Sequence, residues 1–202
     1  MGPQDFEVVA RETCHDGFFR LERYVVRHRL FRGGWSPPLT RELLERGHAA
    51  AVLPYDARRD RLLLVEQFRI GAVHDPAGPW LIETVAGMIE PGEDPVEVVR
   101  REAREEAGCE LGELVEIGTY YVTPGGASER IHLYCARADL EGVGGVHGLQ
   151  DEGEDIRVLT PTFEEAWAML GGGRIRVATP LIALQWLALH RERLRREWGA
   201  AP

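Results

Sequence analysis

Residues 7–14 and 18–30 read as two strands, the second long and with partly alternating apolar and polar side chains, FFRLERYVVRHRL. His15-Asp16-Gly17 between them has turn chemistry. Gly33-Gly34 and Pro37-Pro38 mark a loop, after which residues 39–45 extend again. Two apolar strands, AAVLPY and RLLLVEQF, then flank the polar turn DARRD, and PWLIETVAG brings a third up to Gly87. LVEIGTYYV and RIHLYCARA are further strands, split by Thr123-Pro124-Gly125-Gly126, and IRVLT is a short one. Residues 142–153 lack periodicity and read as a long acidic loop. Helices are expected over 162–170 and, as a long amphipathic one, over 180–198. Gly171-Gly172-Gly173 ends the first as a cap and loop. The four arginines at positions 191, 193, 195 and 196 suit the end of the second.

The sharpest local signal is GMIEPGEDPVEVVRREAREEAGC, residues 87–109. Asp94 can cap a helix whose first residue is Pro95, where a missing N–H costs nothing, and Gly108 supplies the stop after Ala107. Val96, Val99 and Ala103 form an apolar stripe at three- and four-residue spacing. The other side carries Glu102, Glu105 and Glu106, which share one helix face and repel. Arg101 can pair with Glu105, and Arg104 is expected to point to solvent. Two readings fit these carboxylates. One is a solvated acidic face, the usual fate of a charge run. The other is a divalent cation site, favoured by the preceding glycine-rich loop with its Glu93, since hard cations take several oxygen ligands.

Composition narrows the field. A chain of 202 residues fits one substantial domain with a small extension. The formal net charge of −9 argues against nucleic-acid and anionic-membrane partners while leaving room for a small phosphorylated substrate held by local arginines or a metal. No apolar run approaches a membrane span, and the N-terminus is not expected to be a signal peptide. Cys14, Cys109 and Cys135 are scattered without a CxxC spacing, which suits small buried thiols in a reducing cytoplasm. His48 and His147 lack the spacing of a transition-metal site.

Gly87, five residues to Glu93, seven to Arg101-Glu102, then Ala103, Arg104, Glu105-Glu106, Ala107, Gly108 and Cys109 resemble the Nudix box, G-x5-E-x7-R-E-U-x-E-E-x-G-U. Every fixed position matches, and the two bulky aliphatic positions hold the smaller Ala103 and Cys109. Over nearly its full length the chain resembles the bacterial ADP-ribose pyrophosphatases of that family, from ARETCHDGFF through ERGHAAVLPYD to HGLQDEGEDIRV and ALQWL. Pro124, sixteen residues after Gly108, stands where ADP-ribose-specific members carry a proline, and the SQPWPFPxS stretch of NADH-specific members does not occur.

The resemblance implies an α/β (α+β) fold, the Nudix α/β/α sandwich with a mixed sheet over residues 47–202, preceded by a small antiparallel β segment, residues 1–46. It implies magnesium, with manganese a possible substitute, held by Glu102 and Glu106 with the Ala86 carbonyl and, more weakly, Glu105. Glu93 would pair with Arg101 and orient the helix. Glu152 would be the general base, and Glu154 would complete a metal site when its loop closes. On the residues alone an acidic solvent loop is the preferred reading of both. Substrate contacts carried over by position are Phe18, Phe19, Arg41, Glu42, Arg46, Arg69 and Met88, with Pro124, Gly125 and Glu129 contributed by a partner subunit.

The first segment is too thin for its own core, and its uncovered strand edge makes a homodimer the expected assembly. The implied reaction is hydrolysis of ADP-ribose to AMP and ribose 5-phosphate. Rival readings are another Nudix substrate, such as a nucleotide sugar or flavin dinucleotide, and a catalytically silent ADP-ribose sensor. The sensor fits poorly, because every box glutamate remains and no length is left over for a DNA-binding domain.

Overall fold

The computed structural model describes residues 1–149, 151 and 153–199. It divides into two compact units, residues 1–48 with 120–131, and residues 49–119 with 132 onward.

In the first unit, strands β1 (Phe6–Asp16), β2 (Arg20–His28) and β3 (Leu39–Glu45) form an antiparallel sheet in that order. The second strand is shorter than its alternation suggests. Phe18 and Phe19 fall in the turn before it, and Leu30 enters a tight loop in which its N–H donates to the Gly34 carbonyl and its carbonyl accepts from Gly33. A carboxylate occupies the middle of this sheet. Glu22 is 1% exposed and accepts hydrogen bonds from Arg11 and from the Tyr24 hydroxyl, with Arg20 3.0 Å away. Strand β1 is the outer strand, and all eleven of its residues are exposed.

The remaining strands are β4 (His48–Asp56), β5 (Arg61–Leu62), β6 (Leu64–Phe68), β7 (Trp80–Glu83), β8 (Val85–Ile89), β9 (Leu111–Tyr121), β10 (Arg130–Ala138), β11 (Gly145–His147) and β12 (Ile156–Leu159). They form two sheets, β5-β4-β10-β9 with β8 also on β4, and β11-β12-β6-β7. The apolar run at 79–87, read as one strand, is two. It breaks at Thr84 and passes from one sheet to the other, β7 on β6 and β8 on β4. The stretch read as an acidic loop contains β11, which pairs with β12.

Helices α1 (Pro95–Ala107), α2 (Phe163–Gly171) and α3 (Ala178–Trp198) complete the second unit. Helix α3 starts before Pro180, which is accommodated because the first-turn N–H groups have no intrahelical partner. Its Arg191 turns inward to Asp60, which also accepts from the Tyr55 hydroxyl at 2.7 Å. The main core joins Val98, Val99, Ala103 and Ala107 of α1 to Ala50, Val52 and Ala136 from one sheet and Val65, Ile156 and Val158 from the other. The apolar face of α1 therefore centres on Val98 rather than on Val96, which is only half-buried. Cys109 and Cys135 are buried as expected, whereas Cys14 is exposed on β1. Among the described residues no helix is long and apolar enough to cross a membrane.

Candidate active site

Helix α1 begins as its sequence requires. The Asp94 carboxylate accepts from the Val96 N–H at 2.8 Å, Pro95 is the first helical residue, and Gly108 closes the helix at φ 58°, a left-handed conformation that favours glycine. The helix backs onto β8, and the contact is close. A Cβ on Gly87 would lie 1.9 Å from Glu102 Oε1, so only glycine lets this carboxylate rest against the backbone. One turn on, Glu106 Oε2 accepts from the Ala86 N–H at 3.2 Å. The box glycine and its two glutamates thus form one packed seam.

The acidic face is not a solvated one. Glu106 is 3% exposed, and the Glu102 side chain 14%. Burial raises the proton affinity of both. Glu102 is pushed up to about 7, with Arg101 opposing and Glu105 and Glu154 adding repulsion. Glu106 is pushed up to about 8 by burial and by Glu102, while the Ala86 N–H and the charge of Arg69 pull it down.

Arg101 neutralises the more open side, donating to Glu102 at 2.7 Å and to Glu105 at 3.2 Å, with Glu93 at 3.9 Å. Glu93 itself accepts from the Glu90 N–H at 2.8 Å, holding the turn before the helix. Arg104 pairs with Glu110 at 2.9 Å instead of standing free. Glu154 accepts from the Leu149 N–H at 3.0 Å. Glu152 lies outside the described residues. Among the described residues no three ligand-type side chains converge on one point; each box carboxylate is bonded to a protein donor instead.

The donor set nevertheless fits a hard divalent cation. It is all oxygen, and a buried carboxylate, Glu106, beside a half-buried one, Glu102, both holding their protons tightly, is a place where a cation can replace protons.

Arg69 sits just beyond β6. Its Nε donates to Glu83 at 2.8 Å, and Gln67 donates to the same Glu83 oxygen at 3.3 Å. Sequence reading singled out Arg69 but not Glu83, whose meeting with Arg69 depends on the cross-strand register of β6 and β7. Met88 is half-buried in β8.

The first unit gathers several of the other expected contacts. The Phe18 and Phe19 rings meet edge-on with centroids 4.9 Å apart, and the Arg46 guanidinium lies 5.3 Å from the Phe19 centroid. Arg46 also lies 3.4 Å from Glu129, which is 7% exposed. Pro124 and Gly125 are in the turn closed by the Ala127 N–H on the Thr123 carbonyl, and the Gly126 carbonyl accepts from the Leu44 N–H. Arg41 and Glu42 are on β3 but point elsewhere, Arg41 to the Thr40 carbonyl and Glu42 to Arg23.

Residues 45–175 match the NUDIX domain family. The chain belongs to the Nudix family. An ADP-ribose pyrophosphatase of Escherichia coli (strain K12) is 47% identical over 198 residues, covering 98% of this Nudix chain and 95% of the relative. A GDP-mannose pyrophosphatase of Pectobacterium atrosepticum is 34% identical over 180 residues, covering 89% of this chain and 92% of the relative. The crystal structure of an ADP compounds hydrolase superposes with a TM-score of 0.70 at 20% identity, covering 99% of this chain and all of that one, and shares its fold. The expected Nudix fold is therefore the observed one.

Proposed function

We propose that this Nudix chain hydrolyses the pyrophosphate bond of ADP-ribose, giving AMP and ribose 5-phosphate. The Glu102–Glu106 pair packed behind Gly87 supports the chemistry, and the substrate is proposed from the 47% identity to an ADP-ribose pyrophosphatase over nearly the whole chain. Glu102, Glu106, Glu105, Glu154 and the Ala86 carbonyl would hold magnesium, or manganese in its place. Such a cation neutralises pyrophosphate charge and lowers the pKa of a bound water.

The chain's own residues do the rest. Arg101 and Glu93 fix the face of α1 from which the carboxylates project. Glu152 takes the proton of the attacking water as its oxygen bonds to one phosphorus. The bridging oxygen then leaves with the other phosphate. Arg69 offers positive charge to the nonbridging oxygens. The aromatic and cationic cluster of Phe18, Phe19 and Arg46 suits a purine, with Arg41, Glu42, Met88, Pro124, Gly125 and Glu129 as further substrate contacts. The working form is proposed to be a cytoplasmic homodimer.

The deciding experiment is phosphate release coupled through alkaline phosphatase, with and without Mg²⁺. The panel contains ADP-ribose, GDP-mannose, NADH, FAD, diadenosine polyphosphates and nucleoside triphosphates. A Mg²⁺-dependent preference for ADP-ribose is expected. Preference for GDP-mannose would move the substrate to the nucleotide sugars, in line with the 34% relative. Binding of ADP-ribose without turnover of any compound would overturn hydrolysis. Glu102→Gln or Glu106→Gln should each lower kcat by more than about 100-fold, the scale of losing a charge-stabilising group at a transition state.

A further inference from the structure

Arginines that meet phosphate work best when the guanidinium plane is fixed before the substrate arrives. Arg69 has that arrangement. Its backbone is extended, φ −129° and ψ 117°, and its N–H donates to the Pro79 carbonyl at 2.9 Å, so the β6–β7 ladder continues past the end of β6. Alternation then places Val65, Gln67 and Arg69 on one face of the strand. Val65 packs into the core with Val98 and Val99 of α1, so this is the α1 side of the sheet. The charge of Arg69 reaches Glu106 from there.

Glu83 is on the neighbouring strand, opposite Val65 in the register. Its side chain is 14% exposed, and one of its oxygens accepts from both Arg69 Nε and Gln67 Nε2. A guanidinium carries five N–H donors in a fixed fork. With Nε committed to Glu83, the two terminal nitrogens form the edge left for a bidentate contact with a phosphate.

We propose that Glu83 is a positioning residue: by accepting from Arg69 Nε it aims the terminal nitrogens of Arg69 at the substrate pyrophosphate. The proposal rests on the pyrophosphatase reading, but on no particular nucleoside or sugar. It makes Gln67 an auxiliary, fixing the Glu83 carboxylate from the neighbouring strand. It also separates Glu83 from the box glutamates, since its effect must pass through Arg69.

The test is a double-mutant cycle on the full chain, read as kcat and KM on whichever panel compound the wild type hydrolyses best. Glu83→Ala should lower kcat/KM about tenfold, the scale of losing a residue that orients a functional group. Glu83→Gln, which keeps an acceptor oxygen and the side-chain volume, should lose less. In an Arg69→Ala background both Glu83 changes should cost less than about twofold, because there is nothing left to aim.

Equal losses in both backgrounds would overturn the proposal, as would a Glu83→Ala enzyme with wild-type kinetics. If Glu83→Ala does not fold, the Glu83→Gln arm of the same cycle decides. An Arg69→Ala enzyme with unchanged kcat/KM would also overturn it, leaving hydrolysis intact. A wild type that prefers a compound other than ADP-ribose corrects the substrate alone, and the cycle is then read on that compound.

Discussion

At the scale of single residues, the site turns on how closely Glu102 and Glu106 approach backbone. Gly87→Ala puts a methyl group 1.9 Å from Glu102 Oε1. The same methyl would lie 2.2 Å from Cδ and 2.5 Å from Cγ, so the whole Glu102 side chain must swing out of the seam. Kinetics and urea unfolding should separate the two effects: stability falls by about 1–3 kcal/mol, as overpacking does, whereas activity falls on the order of 100-fold, as expected for a displaced reacting group. An enzyme as active as wild type would show that Glu102 need not lie against Gly87. The same carboxylates make a pH prediction. Their folded-state pKa values, about 7 and about 8, stand above the ordinary 4.5. Below the ordinary value both folded and unfolded chains are protonated, and this contribution to stability is fully present. It is lost as pH rises through the folded values. Without metal, Tm should therefore fall between about pH 4.5 and about pH 8 and level off above, Glu106→Gln should flatten the decline, and Mg²⁺ should reverse it at the alkaline end. The difference between the two proteins should be on the order of 5 °C. Parallel profiles for the two would remove Glu106 as the source.

At the scale of elements, α1 is nearly self-specifying. Asp94, Pro95 and Gly108 act within four residues of the helix ends, so start and stop were both legible. Asp94→Ala should cost about 1 kcal/mol in urea unfolding. Mg²⁺ affinity should hardly move, because Val98, Val99 and Ala103 keep the helix seated between the sheets. A large loss of Mg²⁺ affinity would mean that the cap, and not the packing, aligns the carboxylates. What local pattern could not supply is equally specific. The run at 79–87 is largely apolar around Glu83 and Thr84, and nothing in its periodicity marks Thr84 as the point where the chain changes sheets. The burial of Glu106 was hidden for a related reason. Helical spacing groups it with Glu102 and Glu105, but the packing of β8 against α1 decides which of the three loses its water. Arg69 was singled out through family resemblance. Its partner Glu83 was not, because their meeting depends on cross-strand register.

At the scale of the whole molecule, the first unit poses a stability problem. Its sheet has a carboxylate, Glu22, at the centre and ion pairs around it, and its outer strand exposes Phe6, Val8 and Val9 at about half their area or more. An edge strand eleven residues long with apolar side chains and unpaired backbone groups invites pairing with another chain unless something covers it. Association of two copies is a symmetric way to cover it. Light scattering of the wild type at micromolar concentration should give twice the chain mass. Placing lysines at Val8 and Val9 should shift the protein toward the monomer, since charges on an edge oppose strand pairing, while circular dichroism stays unchanged because neither side chain is part of a core. If dimerisation also completes the substrate site, the lysine variant should raise KM more than it lowers kcat, with the loss growing on dilution. A wild type that remains monomeric at every concentration would rule out the homodimer, and the exposed strand would then need a different cover. A dimer indifferent to both lysines would place the interface away from β1 and leave the edge itself unexplained.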